Sequence, residues 1–182
     1  MRGDTVKLYD LLNGVPLAGA SIDQNMEITS ISYDSRAVEP GALFAALPGE
    51  RDDGNRHIRE ALDRGAAAVL CSAPPPWDGP WLTAEDPRLS MARICANWFG
   101  RPGDEMALIA VTGTNGKTTT TNLIRELLQG TLHTRVGLIG TNRYVVGQRE
   151  LPADRTTPDC YELQHLLRQM ADEGCTHVVM EA

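Results

Sequence analysis

Gly113-Thr114-Asn115-Gly116-Lys117-Thr118-Thr119 has the composition of a phosphate cradle. Glycines at 113 and 116 leave backbone N–H groups open to phosphate oxygens, at the positive end of a following helix. Lys117 is spaced to reach terminal phosphates, and the Thr118 hydroxyl to hold Mg2+. The chain has only two lysines, Lys7 and Lys117, among 17 basic residues, leaving fifteen arginines. A lysine in the loop of so arginine-rich a chain points to a need for a compact ammonium. Thr118 to Thr121 are poor helix formers in succession, so propensity does not account for them. The bland alternative is a strand-to-helix turn capped by threonine. The flanks argue against it, because apolar Ala107 to Val111 reads as a buried strand and a helix-like segment runs to Leu128. One departure is informative: the common phosphate-loop pattern has glycine five residues before Gly116, and here that residue is Val111.

The elements around this loop form two groups. In the first, Val6 to Leu12 reads as a short helix, Ile28 to Tyr33 as a half-buried strand, and Leu43 to Leu47 as a strand entered through Pro40-Gly41. Arg56 to Arg64 has helical spacing and stops at Gly65, and Ala66 to Cys71 is a small-residue strand. Ala73 to Pro80 is a proline-stiffened loop, and Trp81 to Thr83 one more edge strand. Leu89 to Phe99 reads as a helix, and Gly100-Arg101-Pro102-Gly103 as a domain boundary. Beyond the phosphate loop come a strand at Val136 to Ile139, an irregular stretch from Asn142 to Pro158, a helix at Asp159 to Glu173 and a strand at Thr176 to Met180. Strands alternating with helices predict a parallel sheet with nucleotide at its C-terminal ends. The fold class expected is therefore α/β. Residues 1–100 are expected to form a small α/β domain, and 101–182 the start of a P-loop-type, parallel-sheet nucleotide-binding domain. Three strands make a thin sheet. The last strand also runs straight to Glu181-Ala182, so the expectation is the front part of a longer protein.

Composition narrows the function. A net charge of −7 argues against general nucleic-acid or anionic-membrane binding. No apolar run approaches the ~20 residues of a membrane helix, and the N-terminus lacks a signal peptide's apolar core. Hydrophobic residues at 42% and charged residues at 23% suit a packed soluble domain. Cys71, Cys95, Cys160 and Cys175 lack metal-ligand spacing, so reduced thiols in a cytoplasm are expected, with Cys71 and Cys175 as core fillers. His57 has no sequence partner and reads as a packed or surface histidine.

Gly113-Thr-Asn-Gly-Lys-Thr-Thr resembles the ATP loop of the Mur ligases, which build the peptide of bacterial cell-wall precursors. The amino-terminal segment carries Asp34-Ser35-Arg36, Pro40-Gly41-Ala42-Leu43-Phe44, Asp53-Gly54 and Gly65-Ala66 in order, and resembles the first domain of the same family. Asp34-Ser35-Arg36 alone also fits a polar turn with a local ion pair. Gly137-Leu138-Ile139-Gly140-Thr141, Thr156-Thr157-Pro158-Asp159 and Val179-Met180-Glu181 are similar to the member that adds the third residue of the peptide.

The resemblance implies an ATP-dependent amide ligase using Mg2+. It would join a diamino acid, lysine or diaminopimelate, to UDP-N-acetylmuramoyl-L-alanyl-D-glutamate. Lys117 and Glu181 become the catalytic pair, and Gly113, Thr114, Asn115, Gly116, Lys117, Thr118 and Thr119 the ATP loop. Thr118 and Glu181 become the metal ligands. Tyr33, Ser35, Glu50, Arg51, Asp52, Arg155, Thr156 and Thr157 fall at substrate positions, and the resemblance makes 1–100 the substrate domain and 101–182 the start of the ATP-binding domain. Arg155 stands where many members have Asn, and Glu50-Arg51-Asp52 where His-Gln-Ala is frequent. By the same resemblance the 182-residue chain alone is inactive. The rival readings are the Mur ligase that adds the terminal dipeptide, and a regulatory P-loop protein that only senses nucleotide.

Overall fold

The computed structural model describes residues 5–49, 53–76, 78–153 and 157–182. The chain divides into two compact units, Met1–Trp98 and Phe99–Ala182.

In the first unit, β1 (Val6–Lys7) runs directly into α1 (Leu8–Leu11), where the sequence predicts one helix. Val6 is β-branched and pairs with Ile28, and the Leu8 and Tyr9 amides are taken by the carbonyls of Met26 and Gln24. The helix therefore starts two residues late. Next come β2 (Gly19–Ser21), β3 (Glu27–Ile28) and β4 (Ser30–Ser32). β5 (Ala42–Ala45), α2 (Ile58–Asp63), β6 (Ala68–Cys71), β7 (Trp81–Thr83) and α3 (Pro87–Trp98) complete the unit. Its main sheet has the order β2-β7-β6-β5-β4, with the last four parallel and β2 antiparallel to β7. β7 is thus internal rather than an edge, because β2 covers its outer side. β5 and β6 are buried along their whole length, which is why Ala-Leu-Phe-Ala and Ala-Val-Leu-Cys are unbroken apolar runs. Gly41 and Gly65 both adopt positive φ, and the Gly41 amide donates to the Gly65 carbonyl at 2.9 Å. That bond fastens the entry of β5 to the end of α2.

The second unit contains β8 (Ala107–Val111), α4 (Lys117–Leu132) and β9 (Arg135–Ile139), followed by β10 (Arg143–Val146) and β11 (Arg149–Pro152). α5 (Cys160–Asp172) and β12 (Cys175–Glu181) end it. The sheet order is β11-β10-β9-β12-β8. β9, β12 and β8 are parallel, while β10 and β11 are antiparallel, so five strands form a mixed sheet rather than three a parallel one. The stretch expected to be irregular holds a hairpin, turned at Gly147-Gln148 with Gly147 at φ 60°. β8 also departs from expectation. It lies at the sheet edge and is mostly exposed, with Leu108 at 44%.

Side chains alternate across the sheet. Val136, Leu138 and Val179 pack with Ile124 and Leu128 of α4, while Ile139 and Val178 pack with Leu166, Leu167 and Met170 of α5. Asp159 caps α5 by accepting from the amides of Tyr161 and Glu162 at 3.1 and 3.0 Å. Among the described residues no cysteine is in a disulfide, and Cys71, Cys95 and Cys175 are buried. No helix among those residues is long and apolar enough to cross a membrane.

Candidate active site

β8 delivers the chain into the loop 112–116 at the C-terminal end of the parallel strands, and α4 begins at Lys117. Gly116 caps α4 in the left-handed region, at φ 78° and ψ 0°, and Gly113 has φ 145°. A Cβ at Gly116 would meet nothing within 4 Å, so backbone conformation rather than space calls for glycine there. Thr112 to Gly116 are exposed, and the first amides of α4 have no carbonyl of their own helix to bond. The result is an open row of donors at a helix N-terminus, the donor set a polyphosphate needs. Lys117 Nζ donates to the Gly113 carbonyl at 2.6 Å, so the ammonium is folded back across its own loop.

The carboxylate at the end of β12 completes the site. Glu181 is paired in register with Val111 and is 1% exposed. Thr118 Oγ1 donates to Glu181 Oε2 at 3.1 Å, joining residues 63 positions apart in sequence. Thr141 adds two bonds, from its hydroxyl to Oε2 at 3.0 Å and from its amide to Oε1 at 3.1 Å. A buried carboxylate is costly unless its lone pairs are satisfied, and three donors do that here. Gly140 allows the approach, since a Cβ there would stand 3.0 Å from Glu181 Oε1. Two hard oxygen donors, Thr118 Oγ1 and Glu181, beside a phosphate cradle fit Mg2+. Of the four threonines, Thr118 faces Glu181, and buried Thr121 bonds back to the Thr118 carbonyl at 3.1 Å. Thr119 and Thr120 are exposed.

Sequence reasoning missed Thr141 as a ligand-positioning residue, and also Asn122 and Arg143. Asn122 Nδ2 donates to the Thr118 carbonyl at 2.7 Å, and Arg143 lines the same small cavity as Thr118 and Glu181. The signal available for Thr141 was its place just past the C-terminal end of a parallel strand.

In the first unit, Asp34-Ser35-Arg36 forms the turn with a local ion pair. Asp34 accepts from the Arg36 guanidinium at 2.9 and 2.8 Å and from the Arg36 amide at 3.0 Å. Those bonds, the side-chain ones first, hold the Asp34 carboxyl down at about 2. Ser35 is buried and gives its hydroxyl proton to Glu60 Oε2 at 2.6 Å, whereas Tyr33 is 44% exposed. His57 Nδ1 lies 3.9 Å from the same Glu60 carboxylate oxygen. Thr157 is exposed, and Glu50, Arg51, Asp52, Arg155 and Thr156 lie outside the described residues.

Residues 27–96 match the Mur ligase family catalytic domain, and residues 111–182 match the Mur ligase middle domain. The chain belongs to the Mur ligase family. It is 43% identical over 182 residues to a UDP-N-acetylmuramoyl-L-alanyl-D-glutamate--2,6-diaminopimelate ligase of Chlorobium phaeobacteroides, covering 97% of this chain and 35% of that one. It is 45% identical to a UDP-N-acetylmuramyl-tripeptide synthetase of a Roseiflexus species, covering 97% and 36%. Among solved structures, a UDP-N-acetylmuramoyl-L-alanyl-D-glutamate--2,6-diaminopimelate ligase matches with TM-score 0.72 and 27% identity, over 98% of this chain and 36% of that one. A MurF ligase of Thermotoga maritima in complex with ADP matches with TM-score 0.54 and 25% identity, over 84% and 31%. The chain thus spans about a third of the length of the curated Mur ligases it matches.

Proposed function

We propose that the chain carries the substrate side and the phosphate side of an ATP-dependent amide ligase of cytoplasmic peptidoglycan-precursor synthesis. The ligase adds a diamino acid to UDP-N-acetylmuramoyl-L-alanyl-D-glutamate. The observation that carries this reading is the Thr118–Glu181 hydrogen bond at the mouth of the glycine loop. It places a metal-type oxygen pair where a loop-bound nucleotide would present its terminal phosphates. Bound ATP would pass its γ-phosphoryl group to the D-glutamate side-chain carboxylate and leave as ADP, and an amine attacking the resulting acyl phosphate would expel phosphate as the amide forms.

The chain's own residues do the holding. The amides from Gly113 to Thr119 and the Lys117 ammonium bind phosphate oxygens, and Thr118 and Glu181 hold Mg2+. Residues 1–100 take the UDP end, with Tyr33 and Ser35 there, and Thr157 contacts the muramoyl peptide from the second domain. With its proton given to Glu60, the Ser35 hydroxyl keeps acceptor lone pairs for a donor on the ligand. The diamino acid is lysine or diaminopimelate, and the similarity to 2,6-diaminopimelate ligases favours the latter.

The test is phosphate release by the full-length protein with ATP, Mg2+, the UDP-muramoyl dipeptide and each diamino acid. Release that depends on one diamino acid is expected, with only background release from the 182-residue chain alone. Release that ignores both amino acids, or needs only nucleotide, would refute the ligase reading and favour a nucleotide switch.

A further inference from the structure

Arg143 opens β10 two residues after Thr141, and it is the cation among the residues lining the Thr118–Glu181 cavity. Its guanidinium is held from one side. One terminal N–H group donates to Asn122 Oδ1 at 3.3 Å, and Asn122 is itself anchored on the Thr118 carbonyl. The charge is therefore tied to the first turn of α4, next to the phosphate cradle.

The side chain is 43% exposed, but not all of the fork reaches solvent. Arg143 Nε is buried and makes no hydrogen bond among the described residues. Glu150 Oε1 stands 3.6 Å away, near enough for attraction but too far for a hydrogen bond. A buried donor in this condition is an exception that needs an explanation. Arg125 adds to the local positive field: burial first, and the Arg143 charge second, push its pKa down. The cavity thus has two unlike walls. Thr118 and Glu181 suit a cation, and Arg143 suits an oxyanion.

We propose that Arg143 binds and neutralises an oxyanion in this cavity, supplied by the terminal phosphate of the nucleotide or by the carboxylate to be activated. The inference rests on the ligase reading above. That reaction must bring two anionic groups together, and a planar guanidinium can take two oxygens of either in parallel hydrogen bonds. Glu150 is the resting counter-ion, released when the oxyanion arrives.

The experiment compares wild type, Arg143→Met and Arg143→Lys in the full-length protein. Affinities for ATP and for ADP, each with Mg2+, are measured by titration, together with KM and kcat for the UDP-muramoyl dipeptide. Arg143→Met should lower kcat/KM about 100-fold, the scale for losing one preorganised charge-stabilising donor, and Arg143→Lys should recover part of it. Weaker ATP binding with unchanged ADP binding assigns the guanidinium to the terminal phosphate. Unchanged nucleotide affinities with a raised KM for the dipeptide assign it to the carboxylate. If Arg143→Met does not fold, Arg143→Lys keeps the charge and loses the fork, and must still show an intermediate defect. Wild-type values throughout for either folded variant would overturn the proposal. A wild-type protein inert with both diamino acids would instead sink the ligase reading, and the ATP-against-ADP comparison would still test Arg143.

Discussion

Lys117 spans its own loop, and this sets what its removal should do. On the reading proposed above, the 2.6 Å bond to the Gly113 carbonyl is exchanged for phosphate oxygens when nucleotide enters. Both bonds have a charged donor, but phosphate adds a charged acceptor with several oxygens, so the exchange gains on the order of 1–3 kcal/mol. Lys117→Ala is therefore expected to weaken ATP about 10- to 100-fold by calorimetric titration. Its unfolding midpoint should stay close to wild type, because Lys117 is only partly buried and stands at the first residue of α4, beside the exposed loop. An unaltered ATP affinity would remove Lys117 from the phosphate site. At this scale the sequence was informative where the chemistry is local. Gly113, Gly116, Lys117 and Thr118 stand within one loop, and each residue type carries its own reason. Arg143 could not be found that way. Its partners Asn122 and Glu150 come from a different helix and strand, and only the sheet order brings them to it.

Among the elements, Gly54 explains why Asp53-Gly54 is a pair. A Cβ on Gly54 would lie 2.7 Å from both the nitrogen and the oxygen of Leu47, which are backbone atoms with little freedom to retreat. The Gly54 amide also donates to the Leu47 carbonyl at 3.0 Å, and Asp53 accepts from the Asn55 amide at 3.1 Å. Gly54→Ala should thus destabilise by about 1–3 kcal/mol, the usual cost of overpacking, read as a lower urea midpoint with unchanged slope. A wild-type midpoint would show that the segment yields freely. Periodicity located α3, α5, β6 and β12 to within two residues at each end, because each carries a clear apolar pattern. It missed the β10–β11 hairpin. Tyr144, Val145 and Val146 are consecutive buried residues, so the run lacks the alternation that marks a half-buried strand. Its turn, Gly147-Gln148, lacks the Asn-Gly or Asp-Gly form that announces a hairpin. β8 was misread in the opposite sense. Its five apolar residues suggested burial, whereas sheet order sets it at an edge, and no local pattern encodes that order.

At the level of the whole molecule, that edge and α4 expose Leu108, Leu123 and Leu127 at 44%, 55% and 67%. An apolar edge strand is a template for pairing with another chain. The 182-residue chain should consequently self-associate as its concentration rises, and Leu108→Lys should reduce the association in light scattering. Equal scattering from both would place the association elsewhere. The buried Glu181 carboxylate has a separate use. Its Oε1 accepts from the Thr141 amide, and its Oε2 from the hydroxyls of both Thr118 and Thr141. A divalent ion drawn to that carboxylate must compete with these protons for the same lone pairs. The Thr141 amide is consequently a built-in spectroscopic reporter. If Glu181 takes the metal as proposed, the amide's proton resonance and its exchange with deuterated water should change on adding Mg2+ without any turnover, and an unchanged amide would remove Glu181 from the metal site.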